Sequence, residues 1–310
     1  MNGRTGRLIG ATMVLLTLAA WTERASAVGA ERVTGLTVGR HGARVGVPTV
    51  VRDGSLYRAW YVVRETATRY AVYHAVSRDG TAFGDTRRCF WGDRAPCRIV
   101  GQPAVFKARD GWRMLLTVYH AVKENHSAIV QLSSPDGLVW GGAVVVAAGT
   151  RDYRRPAVVE DGRDRVLYYE RLDRDPRSTE SRYYRMESDG DRWEKERSVL
   201  EDKTRVRASD DATLHAWYDR SARRWCLLAS EPQGVRGHLL VLRLSDDGKE
   251  FKEGRGHEVT FPGQARIARD YDAHTFTDGR GATWVYYGTG GGTLWRASVD
   301  LKRLVRDAMR

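Results

Sequence analysis

The sequence predicts an all-β fold, a five-bladed β-propeller, on three observations. First, one short turn recurs: Ser77-Arg-Asp79-Gly80 before Phe83, Ser134-Pro-Asp136-Gly137 before Trp140, Glu187-Ser-Asp189-Gly190 before Trp193, and Ser245-Asp-Asp247-Gly248 before Phe251, with a worn fifth copy, Ser298-Val-Asp300, that lacks the glycine. Its aspartates stand 57, 53, 58 and 53 residues apart, and a period of this length marks a propeller, a solenoid or an array. Second, the runs between turns are β-branched and aromatic, and helix-period stretches are scarce. Third, every period repeats one order of parts: an apolar run led by a proline or small residue, a polar turn, an aromatic run, and a run that ends on the Asp-Gly turn. Three or four strands repeated five times fit blades. A large sandwich is also all-β, but it has no reason to repeat one turn at even spacing.

The elements follow in order. Arg4 and Arg7, the apolar run from Leu8 to Trp21 and Ala25-Ser26-Ala27 read as a secretory signal over residues 1–27, cleaved after Ala27. That run is 14 residues long, short of the roughly 20 that a membrane-spanning helix needs, and no later segment is long or apolar enough. Residues 28–310 then form one propeller domain, large enough for a proper core. Residues 32–40 sit before the first inner strand and match a fourth strand's place, so the N-terminal segment is expected to close the ring on the last blade and remove an open sheet edge. Inner strands start at Pro48, Pro103, Pro156, Ala212 and Ala273. Aromatic second strands follow, and Trp60, Tyr61, Tyr168 and Tyr169 within them are expected to pack between blades. After Asp300 a short tail reads as helical or frayed. In the Asp-Gly turns the aspartate caps the turn, glycine supplies positive φ, and the aromatic packs between blades.

The net charge of +12 suggests nucleic acid at first sight. Its arginines, however, are scattered among aspartates and glutamates, which reads as a solvated surface that favours an acidic polymer or an anionic cell surface instead. Cys89 and Cys97, in a loop-like stretch of an exported chain, are expected to form a local disulfide. Cys226, inside Trp-Cys-Leu-Leu, reads as a buried free thiol. No Gly-x-Ser-x-Gly elbow, P-loop or His-Glu-x-x-His motif is present, and the glycine-rich Gly288–Thr293 stretch has no helix after it and reads as a hairpin.

The proline-led inner strands, the aromatic strands and the Ser-x-Asp-Gly-x-x-aromatic turns resemble those of five-bladed glycoside hydrolases, the family 43 arabinanases and xylosidases with their levansucrase and invertase relatives. The resemblance covers roughly residues 40–300. It implies a site on the central axis, where the inner strands start. The positions of the relatives' Asp-Pro starts hold Val47-Pro48 and Gln102-Pro103, which carry no acid. The Arg-Asp-Pro start falls on Arg154-Arg155-Pro156, the acid position on Asp210-Asp211-Ala212, and the axial histidine on His274 in Asp272-Ala273-His274. The resemblance allows a calcium ion near His274 and implies no other cofactor.

Glycoside hydrolysis uses two carboxyl groups flanking the bond. With the usual base position occupied by non-acids, the catalytic candidates are Asp210, Asp211 and Asp272; their other reading is cation binding or the capping of strand ends. Gln102, Arg154, Arg155, Glu170, Glu231 and His274 are the substrate-binding candidates. Glu170 and Glu231 end aromatic strands, and two adjacent guanidinium groups suit a carboxylate or sulfate. The sequence therefore predicts a secreted, monomeric, carbohydrate-active propeller, hydrolase-like at its axis, with a glycan partner that is acidic and with no nucleic acid and no membrane span. Two other readings stay open: a propeller that binds a glycan or surface ligand without catalysis, and a protein-interaction propeller.

Overall fold

A computed structural model describes residues 28–36, 46, 48–92, 100–119, 126–161, 164–175, 178–189, 192–199, 206–207, 214–220, 222–232, 238–251, 257–259, 273–277, 283–289 and 293–308. A single strand, β1 (Val28–Val33), precedes the first blade. Blade 1 consists of β2 (Thr49–Asp53), β3 (Leu56–Thr66), β4 (Arg69–Ser77) and β5 (Phe83–Arg88). A short strip, β6 (Phe90–Trp91), leads into blade 2, made of β7 (Val100–Ala108), β8 (Gly111–Val118), β9 (Ala128–Ser134) and β10 (Val139–Ala147). Blade 3 holds β11 (Asp152–Asp161), β12 (Asp164–Asp175), β13 (Ser178–Asp189) and β14 (Arg192–Ser198), with β15 (Val206–Arg207) beside β13. Blade 4 holds β16 (Leu214–Asp219), β17 (Arg224–Pro232), β18 (His238–Ser245) and β19 (His257–Val259). Blade 5 holds β20 (Ala273–Thr277), β21 (Thr283–Thr289) and β22 (Thr293–Val299), and takes β1 as its outer strand. The inner strands β2, β7, β11, β16 and β20 each pack on the next, and β20 returns to β2, so the five sheets form a ring. The expected five-bladed propeller is the fold.

The core lies in the seams between blades. Ala59 to Val63 on β3 and Trp112 to Val118 on β8 are buried without alternation, because both faces of these strands meet a neighbouring blade. Trp60, Val62 and Val72 of blade 1 join Trp112, Met114, Leu116 and Trp140 of blade 2 in one apolar cluster. Trp60, Tyr61, Tyr168 and Tyr169 are all fully buried, as expected for packing residues.

Each well-formed Asp-Gly turn is a small hydrogen-bonded knot. Ser77 Oγ accepts from the Gly80 amide at 2.9 Å, and Asp79 Oδ1 accepts from the Thr81 and Ala82 amides at 2.7 and 2.9 Å. The Thr81 amide holds the Asp79 carboxyl well below its ordinary range, against an opposing push from burial. Asp136 and Asp247 make the same bonds in their turns. The turn glycine then locks onto the preceding blade. Trp60 Nε1 donates to Gly137 O at 2.8 Å, Tyr168 Oη to Gly248 O at 2.7 Å, and Tyr286 Oη to Gly80 O at 2.8 Å. Blade 1 thus holds blade 2, blade 3 holds blade 4, and blade 5 holds blade 1.

Ring closure uses the N-terminal segment, as expected, but the strand begins earlier than residue 32. It runs over Val28–Val33, antiparallel to β22 with Val33 opposite Leu294, and residues 37–40 of the expected 32–40 lie outside the described residues. Two contacts set this register: Glu31 pairs with Arg296, and Thr34 leaves the strand to exchange backbone bonds with Thr81 and Phe83 of blade 1. Arg296 Nη1 also donates to Asp79 O at 2.5 Å, tying the closing blade to the first turn. The tail after Asp300 is a helix, α1 (Leu301–Ala308); Asp300 Oδ1 caps it by accepting from the Arg303 amide at 2.9 Å. No helix among the described residues is long and apolar enough to cross a membrane.

The Cys89–Cys97 disulfide expected from sequence is not found. Cys89 is a free, fully buried thiol; Cys97 lies outside the described residues. The Cys89 side chain turns into the seam between blades 1 and 2, where its Sγ lies 3.9 Å from Gly137 O, and burial pushes its thiol up to about 12. It acts there as a small apolar filler. Cys226 is likewise a buried free thiol, as expected.

The same seam holds His74, 3 % exposed, with its ring 5.1 Å from that of Trp60 and with neither nitrogen hydrogen-bonded among the described residues. Burial, and then the charge of Arg58, drive its pKa from 6.5 down to about 4. Between those values an unfolded chain binds a proton that the folded chain refuses. The His74 contribution, on the order of 3 kcal/mol, is therefore complete above pH 6.5 and is lost as pH falls toward 4. Urea unfolding measured across this window is expected to show stability falling with pH, and His74→Leu is expected to flatten the fall.

Candidate functional site

The inner strands β7 and β11 begin with the same local device. In both, a non-glycine residue just before proline takes a left-handed backbone: Gln102 at φ 46° before Pro103, and Arg155 at φ 56° before Pro156. In both, the strand pairing skips at that point, between Gly101 and Ala104 and between Arg154 and Ala157. The proline has no amide to give the ladder, so a bulge forms where the chain enters the blade. The left-handed residue is strained by about 1–3 kcal/mol, a cost that survives only where surrounding contacts enforce it. One such contact is visible: the Arg155 amide, released from the ladder, donates to Thr117 Oγ1 of blade 2 at 3.1 Å. Thr49 of blade 1 similarly donates its hydroxyl to Pro103 O.

Gln102 and Arg155 line a cavity of about 100 Å³ on the ring axis, with Thr49, Leu214, His215 and His274 among its other walls. His215 and His274, on β16 and β20, meet edge to face with ring centres 4.7 Å apart, and Trp217 stacks on His215. Burial brings His274 down to about 4, and burial with the neighbouring His274 holds His215 well below 6.5, so both imidazoles are neutral at pH 7. No carboxylate lines the cavity among the described residues. Behind the wall, Arg154 and Arg155 both reach Glu170: Arg154 Nη2 lies 3.4 Å from Glu170 Oε2, and Arg155 Nη1 donates to the same oxygen. All three side chains are 2 % exposed. Glu170 stands opposite Arg154 in the β11–β12 ladder, so pairing register places the acid under both guanidinium groups.

The structure thus brings Gln102, Arg155 and His274 to one cavity and sets Arg154 and Glu170 directly behind it. Glu231 lies on β17, with its side chain outside what is described; Asp210, Asp211 and Asp272 lie outside the described residues. Sequence reasoning missed His215 and Thr117. His215 carried a signal, since it is the second residue of its inner strand just as His274 is of the next. Thr117 carried none, because its role depends on a strand of the neighbouring blade.

No family model matches the sequence, and no curated protein matches it. Solved structures match the fold. The chain is similar to an N-acetylgalactosamine deacetylase from F. plautii, in complex with blood group B trisaccharide, at 12 % identity and TM-score 0.62, covering 87 % of this chain and 93 % of that one. It is similar to the catalytic domain of the GH62 α-L-arabinofuranosidase of Coprinopsis cinerea at 14 % identity and TM-score 0.61, covering 90 % and 96 %. A thermostable family-43 glycoside hydrolase aligns at 11 % identity and TM-score 0.58, covering 86 % and 91 %. The chain shares the five-bladed propeller of these carbohydrate enzymes. Hydrolases and a deacetylase stand on this one fold, so the chemistry must be read from the site.

Proposed function

We propose that this chain is a secreted, monomeric propeller, residues 28–310, that binds a glycan in its axial cavity, and that the base position of a hydrolase has been given over to ligand binding. One observation supports it above the others: Gln102 and Arg155, both held in strained left-handed conformations, line the cavity from positions where the resembling hydrolases start Asp-Pro strands. A carboxamide such as that of Gln102 has no ionisable group and cannot stand in for the carboxylate base. The fold neighbours act on or bind carbohydrate by their names, which fits a sugar as occupant. Export rests on the basic, apolar and small-residue pattern of residues 1–27.

A second reading, hydrolysis by Asp210, Asp211 and Asp272, is favoured by one fact: these residues precede the cavity-lining Leu214 and His274 by only a few positions in the chain. A panel of arabinan, xylan, fructan and uronic-acid substrates, run with wild type and with Asp210→Asn, Asp211→Asn and Asp272→Asn, decides between the two. Glycan binding by calorimetry with no product from any substrate is the expected result. Product release that the Asp→Asn variants abolish would establish the hydrolase, and absence of both binding and product would overturn a carbohydrate role.

A further inference from the structure

One blade edge lacks the protection that the other four carry. An outermost strand presents unpaired backbone N–H and C=O groups, and charged side chains along it keep other chains from adding to the sheet. Four outer strands carry charge: Arg87 on β5, Glu194 on β14, Glu258 on β19 and Arg32 on β1. Blade 2 differs. Its strand β10 lies in a run with no charged side chain from residue 137 to residue 150, in a chain where 29 % of residues are charged. The exposed large hydrophobic side chains of the described residues are Phe90, Val139, Val144 and Val145, and all four stand on β10 or on β6 beside it. Phe90 lies opposite Val139 where β6 pairs with β10, and this pairing ends at Trp140. From residue 141 to residue 147 no strand among the described residues pairs with the outer side of β10. Gly142 to Val145 are exposed in succession, so both sheet faces are open there. The pairing with β9 shifts register on either side of Val144-Val145, yet these valines are 59 % and 63 % exposed.

Three kinds of occupant cover such an edge, and the observations separate them. A lipid surface takes valine and phenylalanine side chains but offers nothing to backbone N–H and C=O groups. A second copy brings another net charge of +12, which opposes self-association. An extended segment of an acidic protein answers both: its backbone continues the ladder, its apolar side chains cover the valines, and its charge is opposite to that of this chain. We propose that the free edge of β10 is a docking site for an extended strand with an apolar centre, supplied by an acidic partner protein and added to blade 2 beyond residue 140. The edge lies three strands out from β7, whose residues line the axial cavity, so it is independent of glycan binding.

A synthetic peptide with a Val-Thr-Val-Thr-Val centre and glutamates at both ends tests this, titrated into the full chain by calorimetry while amide hydrogen exchange is followed across β10. Binding and slowed exchange at residues 142–146 are expected. The same centre ended by lysines is expected to bind about tenfold more weakly at low salt. A version with proline at alternate positions has lost backbone donors and is expected not to bind. Val144→Lys and Val145→Lys give β10 the charge that guards the other outer strands, and each is expected to abolish binding. Circular dichroism checks that the variants fold; should either fail, the wild-type peptide series still decides. Equal affinity for the glutamate- and lysine-ended peptides would overturn the acidic partner, and no protection of β10 by either would overturn the docking site. A dimer of the chain alone in sedimentation, dissociated by Val144→Lys, would assign the edge to a second copy instead. Binding to phosphatidylglycerol vesicles that the same variant abolishes would assign it to a membrane.

Discussion

Glu170→Ala is expected to lower stability by about 3–5 kcal/mol, the cost of removing one partner from a buried ion pair. For a chain of this size that is a drop of roughly 5–8 °C in melting temperature. Glu170 receives Arg155 Nη1 and lies 3.4 Å from Arg154 Nη2, and all three side chains are 2 % exposed. Truncation leaves two guanidinium groups inside the protein without this carboxylate, in a region that water reaches poorly. Glu170→Gln keeps the shape and one acceptor, so it should fall between wild type and the alanine variant. Thermal melts followed by circular dichroism measure all three. An unchanged melting temperature in Glu170→Ala would show that the acid is not what holds the arginine pair. The same variant is expected to weaken ligand binding, because Arg155 reaches the cavity from a position that Glu170 helps to set.

Gly248→Ala should cost a comparable amount for a different reason. A Cβ at this position would stand 2.6 Å from Trp225 Cδ2 and 2.7 Å from Tyr168 Oη, on a backbone at φ 70°. Left-handed strain of about 1–3 kcal/mol adds to overpacking of about 1–3 kcal/mol. The clash also strikes the Tyr168–Gly248 bond that joins blades 3 and 4. Gly54→Ala is the control, since Gly54 has φ 63° but nothing within 4 Å of an added Cβ. It should lose only the backbone term. If urea midpoints for the two variants coincide, the turn glycine does not depend on the close approach of the preceding blade.

The Asp-Gly turn shows why so much of the fold was legible. Ser77, Asp79 and Gly80 satisfy one another within a few residues, so the signal and the structure it causes lie in the same short stretch. The proline at the entry of each of the first three inner strands, just before β2 and within the first five residues of β7 and β11, is equally local. Cys89 shows the opposite case. Its spacing from Cys97 suggested a bond, but its environment is made by Trp60 and by Gly137 and Trp140 of another blade. The closing strand falls between these two. That a sheet edge needs covering is a general rule, so the N-terminal segment was identifiable as the closer. Its register depends on Arg296 and Phe83, contacts that local patterning does not encode.

At the candidate site the division is the same. The sequence by itself determined the number of blades, the approximate place of each inner strand (β7 and β11 begin three and four residues before the expected Pro103 and Pro156), and the absence of acid at positions 47 and 102. Only the tertiary structure decided that Gln102 and Arg155 share one cavity, that His215 meets His274, and that Glu170 serves two arginines behind the wall. Turns and bulges are made by bonds between near neighbours and therefore leave local marks. A cavity on a ring axis is made by strands from every blade, and its charge is set by which side chains the ring brings within a few ångströms of one another.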